Sequence, residues 1–112
     1  MTAIASQFTL FECVECAAAL RHFLTEQDIP GIHIKLFTGT VDRPLCNIYC
    51  DTIEQVISLN GRHEAIAIEI DGQEKVFDNI YPQGISRVEW LESFHSPVQD
   101  LGLDFQITET FL

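Results

Sequence analysis

Residues 63–78 read HEAIAIEIDGQEKVFD, and this stretch predicts a β-hairpin. Isoleucines alternate with His63 and two alanines, which is typical of a strand with two different faces, because successive side chains point to opposite sides. The dipeptide Asp71-Gly72 favours a two-residue turn, since a type I′ turn requires positive φ at both positions. That turn places Asp78 diagonally opposite His63 on one face, within about 7–8 Å. The carboxylate could then accept the imidazole N–H and orient the ring.

The register of this hairpin decides which residue meets His63. A three-residue turn would move the pairing by one position and bring Asn79, in place of Asp78, to the same face. The two-residue turn is the stronger signal, so Asp78 is the preferred partner and Asn79 the alternative.

An amphipathic helix is predicted to begin at Cys13. Apolar residues recur at helical spacing through Leu24, and the segment 28–31 ends the pattern with proline and glycine. A cysteine in the first turn lies where free N–H groups and the helix dipole stabilise a thiolate. Cys16 lies one turn further in and is typical of a small core residue. The alanines of the 63–70 strand are expected to let this helix approach the His63 face closely.

Four segments carry a family resemblance: FECVECA at 11–17, NGRH at 60–63, VFDN at 76–79, and the stretch from PQG at 82–84 through Trp90. They resemble the papain-fold toxin domains of bacterial polymorphic toxin systems, and specifically the second family of these domains. The resemblance covers about residues 7 to 95.

The resemblance implies a papain-like cysteine-protease fold, with an N-terminal helix packed against a mostly antiparallel sheet. It also implies a Cys-His-Asp site that acts as a peptidase or as a deamidase of protein glutamine side chains. Carried over, Cys13 is the nucleophile, His63 the base and Asp78 the orienting residue. Gln7 stands six residues before Cys13, the spacing at which papain-like enzymes place an oxyanion-hole glutamine. The same count from Cys16 reaches Leu10, which cannot donate a hydrogen bond.

The rest of the chain predicts a single α+β domain over residues 1–112. The helix that opens at Ser86 has a capping-box pattern and carries Trp90 and Phe94, which are expected to lie in the core. Other segments predict strands at 31–37, 45–51 and 104–112, whereas 53–59 suits a short helix or a loop. His33 is expected to face outward from its strand.

Charge and hydropathy limit the classes of partner and the locations expected for this protein. The 112 residues include 6 Lys+Arg and 17 Asp+Glu, for a net charge of −11. This balance argues against nucleic acid or an anionic membrane as a partner and favours a basic protein, such as an immunity or target protein, beside a protein or peptide substrate. The chain has no run of about 18 apolar residues and no basic leader. It is therefore expected to be cytoplasmic, or exported by a route without a conventional signal peptide.

The four cysteines also suggest a zinc site, which their spacing disfavours. Cys46 and Cys50 fall in a strand pattern, which would separate them by about 13 Å at about 3.3 Å per residue. That is too far for one ion held at about 2.3 Å from each sulfur. No metal or cofactor is expected.

Two functions remain open at this point. A thiol-dependent hydrolase, with peptidase and deamidase chemistry undecided, fits the Cys-His-Asp order. A non-catalytic papain-like binding or regulatory module fits the acidity equally well, and thiol reactivity discriminates between the two.

Overall fold

The computed structural model describes residues 1–112 and contains four helices and seven strands, which confirms the α+β class. In chain order these are α1 (Thr2–Ala5), α2 (Cys13–Glu26), β1 (Ile32–Phe37), β2 (Ile48–Cys50), β3 (Gln55–Ser58), β4 (Arg62–Ile70), β5 (Gln73–Phe77), α3 (Arg87–Glu92), β6 (Phe94–His95), α4 (Pro97–Asp100) and β7 (Gln106–Phe111). None of the helices is long and apolar enough to cross a membrane.

The predicted hairpin is β4 and β5, which form the start of a four-stranded antiparallel sheet in the order β5-β4-β1-β7. Asp71 and Gly72 make the turn with φ of 53° and 80°. The pairing runs from Ile70 with Gln73 to Ile66 with Phe77, as predicted for a two-residue turn. Asp78 comes directly after the last pair, so the end of β5 carries it toward the start of β4.

A second antiparallel sheet has the order β3-β2-β6. In the ambiguous segment 53–59, residues 55–58 form β3, whereas residues 53, 54 and 59 lie in the flanking turns. The strand predicted over 45–51 is shorter than expected, because the residues before it form a turn in which the Cys46 N–H donates to the Asp42 carbonyl at 2.8 Å. The Arg43–Pro44 peptide in this turn is cis.

Helix α2 packs on the face of β4 opposite to the expected one. Its buried residues Cys16, Ala17, Leu20 and Leu24 form one cluster with Ala5, Ile66 and Phe77. Ala65 and Ala67 belong to the other core cluster, with Trp90 and Phe94. The expectation that these alanines admit the helix is therefore wrong. Small residues on that face make room for two large aromatic rings, while the bulkier isoleucine face meets the alanine-rich helix.

Helix α3 begins as the sequence predicts. The Ser86 side chain accepts a hydrogen bond from the Glu89 N–H at 3.3 Å. The helix then directs Trp90 inward, where the side chain has no exposed surface. This position matters for the site, because Trp90 reaches the face of β4 that carries His63.

His33 differs from its expected position. It is buried rather than facing solvent, because it lies beside Ile66 of β4 and contacts Arg21 of α2. Its Nε2–H donates to the Glu64 carboxylate at 2.7 Å, and its Nδ1 accepts from the Arg21 guanidinium at 3.3 Å, since arginine can only donate. The predicted last strand is present as β7, whose residues are exposed. Glu109, which interrupts the apolar pattern there, pairs with Arg87 at 3.0 Å.

Candidate active site

Cys13 is the first residue of α2. The preceding loop is shaped by Glu12, whose carboxylate accepts from both the backbone N–H and the hydroxyl of Thr9 at 2.7 Å. The first intrahelical hydrogen bond runs from the Cys16 N–H to the Glu12 carbonyl, at 2.9 Å. The N–H groups of Cys13 and the two residues after it therefore precede the helical ladder and point out of the helix start. The Cys13 side chain is largely buried, with 8% of its residue surface exposed.

His63 is the second residue of β4 and has no exposed surface. Its Nε2 lies 2.7 Å from Oδ2 of Asp78. The imidazole rests between two aromatic rings, with Phe94 edge-on at 5.1 Å and Trp90 at 6.0 Å between centroids. This packing holds the ring in one orientation and keeps water away from it.

Asp78 accepts four hydrogen bonds. Oδ2 receives the His63 imidazole and the Trp90 indole N–H, each at 2.7 Å. Oδ1 receives the backbone N–H groups of Ile80 and Tyr81, at 2.9 and 2.6 Å. Burial alone would raise the pKa of the Asp78 carboxyl, but His63, together with the indole and backbone donors, lowers it below its ordinary value. Asp78 is therefore an ionised acceptor, and His63 donates to it through Nε2–H.

The same balance of effects acts on His63. Burial by itself would lower the pKa of the imidazole, but the Asp78 hydrogen bond and charge, with a contribution from Cys13, outweigh it and raise the pKa of His63 to about 9. At neutral pH the ring is therefore an imidazolium, with a second proton on Nδ1.

Nδ1 is the ring nitrogen of His63 that could exchange a proton with a nucleophile, because Nε2 is bound to Asp78. It is buried and has no hydrogen-bond partner in the structure. The Cys13 thiol is near enough to raise the pKa of the imidazole through a hydrogen-bonding interaction and through charge, although Nδ1 has no partner of full hydrogen-bond geometry. Contacts between a nucleophile and its proton-transfer partner are often long in unliganded enzymes and tighten when substrate binds, so this geometry fits a site before substrate binding.

Cys16 occupies the core. It has no exposed surface and packs between the helix and the sheet. Burial, reinforced by the negative charge of Asp78, raises the pKa of the Cys16 thiol to about 12. Such a thiol stays protonated at physiological pH and is shielded from reagents.

The alternative orienting residue, Asn79, has a different contact. Its Nδ2 donates to the Thr9 carbonyl at 2.8 Å, which connects the end of the hairpin to the loop before α2. The structure thus brings Cys13, His63 and Asp78 together and turns Asn79 away from the imidazole. Gln7 lies in the turn after α1, where its side chain is exposed and makes no hydrogen bond within the chain.

Trp90 is the site residue whose polar contact the sequence analysis did not predict. The helical pattern placed it in the core, which is correct, but not beside the carboxylate. One signal was present: a buried indole N–H usually finds an acceptor, and Asp78 was the polar residue already expected on that face.

A groove of about 260 Å³ opens beside Cys13. Its lining residues come from the start of α2, the turn before β2 and the β3–β4 connection: Phe11, Cys13, Val14, Arg43, residues 57–60 and Arg62. A larger cavity of about 380 Å³, between Pro30, Glu74 and Phe111, contains no cysteine or histidine. Another cavity of about 380 Å³ is lined by Cys50 and His95 but not by Cys13. The groove lined by Cys13 is therefore the candidate for presenting a substrate to this thiol. No group of three or more His, Cys, Asp or Glu side chains is arranged to hold a metal ion.

Of three comparisons with known proteins, one gives a match. No curated protein and no solved structure matches the chain significantly. A family model described as Papain fold toxin 2 matches residues 1–95, which include both sheets except β7, all of α2, and the three residues gathered around His63. The chain therefore belongs to the Papain fold toxin 2 family.

Proposed function

We propose that this protein is a thiol-dependent hydrolase that acts through Cys13, His63 and Asp78. The observation that carries the proposal is the buried hydrogen bond from His63 to Asp78, at 2.7 Å, which leaves Nδ1 free beside a cysteine at a helix start. A nucleophile, a base and a group that orients the base are the parts of an acyl-transfer site.

The proposed reaction begins with the Cys13 thiolate and the His63 imidazolium. The sulfur attacks an amide carbonyl carbon, and the carbonyl oxygen becomes an oxyanion. The Cys13 N–H and the Gln7 side chain would stabilise that oxyanion, and one such donor contributes about 3 kcal/mol in comparable sites. Gln7 is exposed in the unliganded protein, so this role requires its side chain to turn toward the substrate.

The imidazolium then transfers its Nδ1 proton to the leaving nitrogen, and the C–N bond breaks to give a thioester. A water molecule gives a proton to the neutral imidazole and attacks the thioester. The acid is released and the thiolate–imidazolium pair is restored.

Peptidase and deamidase chemistry share every one of these steps. They differ only in the leaving group, which is a peptide amine in one case and ammonia from a glutamine side chain in the other. Membership in a papain-fold toxin family supports a protein substrate and a role as a toxin or effector domain. The acidic surface supports a basic target or immunity protein as a partner.

The test is alkylation by iodoacetamide at about pH 6, followed by peptide mass mapping. Only a thiol that is ionised below its ordinary range reacts readily there. We expect selective labelling of Cys13 in the wild-type protein and in Cys16→Ala, and at least a tenfold slower reaction in His63→Gln. Near-UV circular dichroism of Trp90 serves as the folding control for each variant.

Absence of Cys13 labelling below about pH 8 in a folded wild-type protein contradicts the proposal. That result favours the non-catalytic papain-like binding or regulatory module. Labelling of Cys16 in place of Cys13 would move the nucleophile by one helical turn.

A further inference from the structure

The groove beside Cys13 has a charge opposite to that of the chain. Its lining includes two arginines, Arg43 and Arg62, and none of the 17 carboxylates. In a protein with only 6 Lys+Arg, a third of the cationic side chains therefore border one cavity.

Neither arginine is in an ion pair. Arg43 uses Nε to donate to the carbonyl of Leu59, another lining residue, at 2.8 Å, which leaves its two terminal nitrogens without partners. Arg62 lies with its guanidinium carbon 4.1 Å from the centre of the Phe37 ring and makes no side-chain hydrogen bond. By contrast, Arg87 forms ion pairs with both Glu74 and Glu109. Arg43 and Arg62 thus keep N–H donors available to a ligand.

We propose that Arg43 and Arg62 select a substrate with an aspartate or glutamate side chain close to the amide that Cys13 attacks. This inference rests on the proposed function, since it assigns the substrate class of that site. Guanidinium groups bind carboxylates through paired, charge-assisted hydrogen bonds, and both arginines line the groove that Cys13 also lines. The net negative charge acts at longer range and attracts a basic protein surface. The two arginines of the groove would bind one acidic side chain within that surface.

The first measurement compares two alkylating reagents of similar size, iodoacetate and iodoacetamide, at Cys13. Both are used at about pH 8.5, where an ordinary accessible thiol also reacts. The ratio of their rate constants reports the local potential, because a change in thiol reactivity affects both reagents. We expect Arg43→Gln and Arg62→Gln each to lower the iodoacetate-to-iodoacetamide ratio about threefold, from the Coulomb energy of one charge across the groove.

Matched variants separate charge from packing. Arg43→Lys and Arg62→Lys keep the charge and should keep most of the ratio. Lys75→Gln removes one positive charge from β5, outside the groove, and should leave the ratio within about 1.5-fold of the wild-type value. A ratio in the Arg43→Gln, Arg62→Gln double variant equal to that of Lys75→Gln would overturn the proposal.

A second measurement tests the substrate class directly. Two peptidyl chloromethyl ketones, identical except for Glu or Gln at the residue next to the reactive carbonyl unit, are compared for inactivation of Cys13. The wild-type protein should prefer the Glu reagent, and the double variant should lose that preference. No preference in the wild type contradicts the proposal. Failure of the proposed function gives a different result, namely no labelling at pH 6 whatever the charge of the reagent.

Discussion

At the scale of single residues, the site is decided by a competition between burial and charge. His63 and Asp78 have almost no contact with water, which by itself would favour their neutral forms. Four hydrogen bonds to the carboxylate reverse this preference, and the ionised Asp78 then holds His63 as an imidazolium. The fully satisfied carboxylate is what allows a buried ion pair at this position.

This balance gives a prediction for His63. In the wild-type protein its imidazole should titrate near pH 9, as followed by the ring resonances in ¹H–¹⁵N correlation spectra. Asp78→Asn removes the charge that opposes the burial, so the pKa of His63 should fall to 6.5 or below. An unchanged titration in Asp78→Asn would show that Asp78 does not control the base.

At the scale of elements, Cys13, His63 and Asp78 meet because the termini of three elements lie close together. These termini are the start of α2, the start of β4 and the end of β5. The Asn79 side chain connects the last of these to the loop before α2. Gly61 lies directly before β4, and its φ is 78°. A Cβ added at this position would lie 2.5 Å from the Thr40 carbonyl oxygen and 2.6 Å from the Thr38 hydroxyl.

Gly61 and Gly72 provide a matched pair of substitutions. Both have positive φ, but a Cβ on Gly72 would meet nothing within 4 Å. Gly72→Ala should therefore cost only the conformational strain, about 1–2 kcal/mol. Gly61→Ala must also displace backbone and should cost at least about 1 kcal/mol more, with slower alkylation of Cys13, as measured by urea unfolding and iodoacetamide labelling. Equal losses of stability would show that the β3–β4 connection has room to adjust.

At the scale of the whole molecule, the site lies where two core clusters meet. Helix α2 covers one face of the large sheet, and the aromatic cluster of Trp90 and Phe94 covers the other. Cys13 lies at the start of α2, and His63 packs against Trp90 and Phe94, so packing on both faces of the sheet positions the pair.

The ion pair of His63 and Asp78 predicts a pH window for stability. The raised pKa of His63 means that its contribution is complete below about pH 6.5 and is lost as the pH rises through about 9. The lowered pKa of Asp78 means that its contribution is present above about pH 4 and is lost as the pH falls through the folded value. The pair should therefore stabilise the fold most between about pH 4 and 6.5.

Urea unfolding from pH 5 to 10 measures this effect against the double variant His63→Gln, Asp78→Asn, which keeps the remaining charges of the chain. The His63 pKa is raised from 6.5 to about 9, and at about 1.4 kcal/mol per pKa unit this corresponds to about 3 kcal/mol of unfolding free energy. The difference in unfolding free energy between wild type and variant should decrease by this order between pH 6.5 and 9. A constant difference would contradict the ion pair.

The amino-acid sequence by itself determined the α+β class, the β4–β5 hairpin with its two-residue turn, and the start of α2 at Cys13. These features depend on local chemistry: period-two and period-3.6 patterns, a turn that needs positive φ, and residues that end a helix. The sequence pattern favoured Asp78 over Asn79 through the two-residue turn, and the observed register of β4 and β5 decided between them.

Only the tertiary structure decided which face of β4 the helix covers, that His33 is buried, that residues 55–58 form a strand, and that Trp90 donates to Asp78. Each of these features depends on contacts between segments far apart in the chain. Side-chain volume and the need of buried polar groups for hydrogen bonds determine which segments pack together, and local sequence patterns do not show this. Ala65 and Ala67 show the reason most clearly. Their small size predicted a close neighbour, but two aromatic rings filled that space, and the helix packed on the isoleucine face.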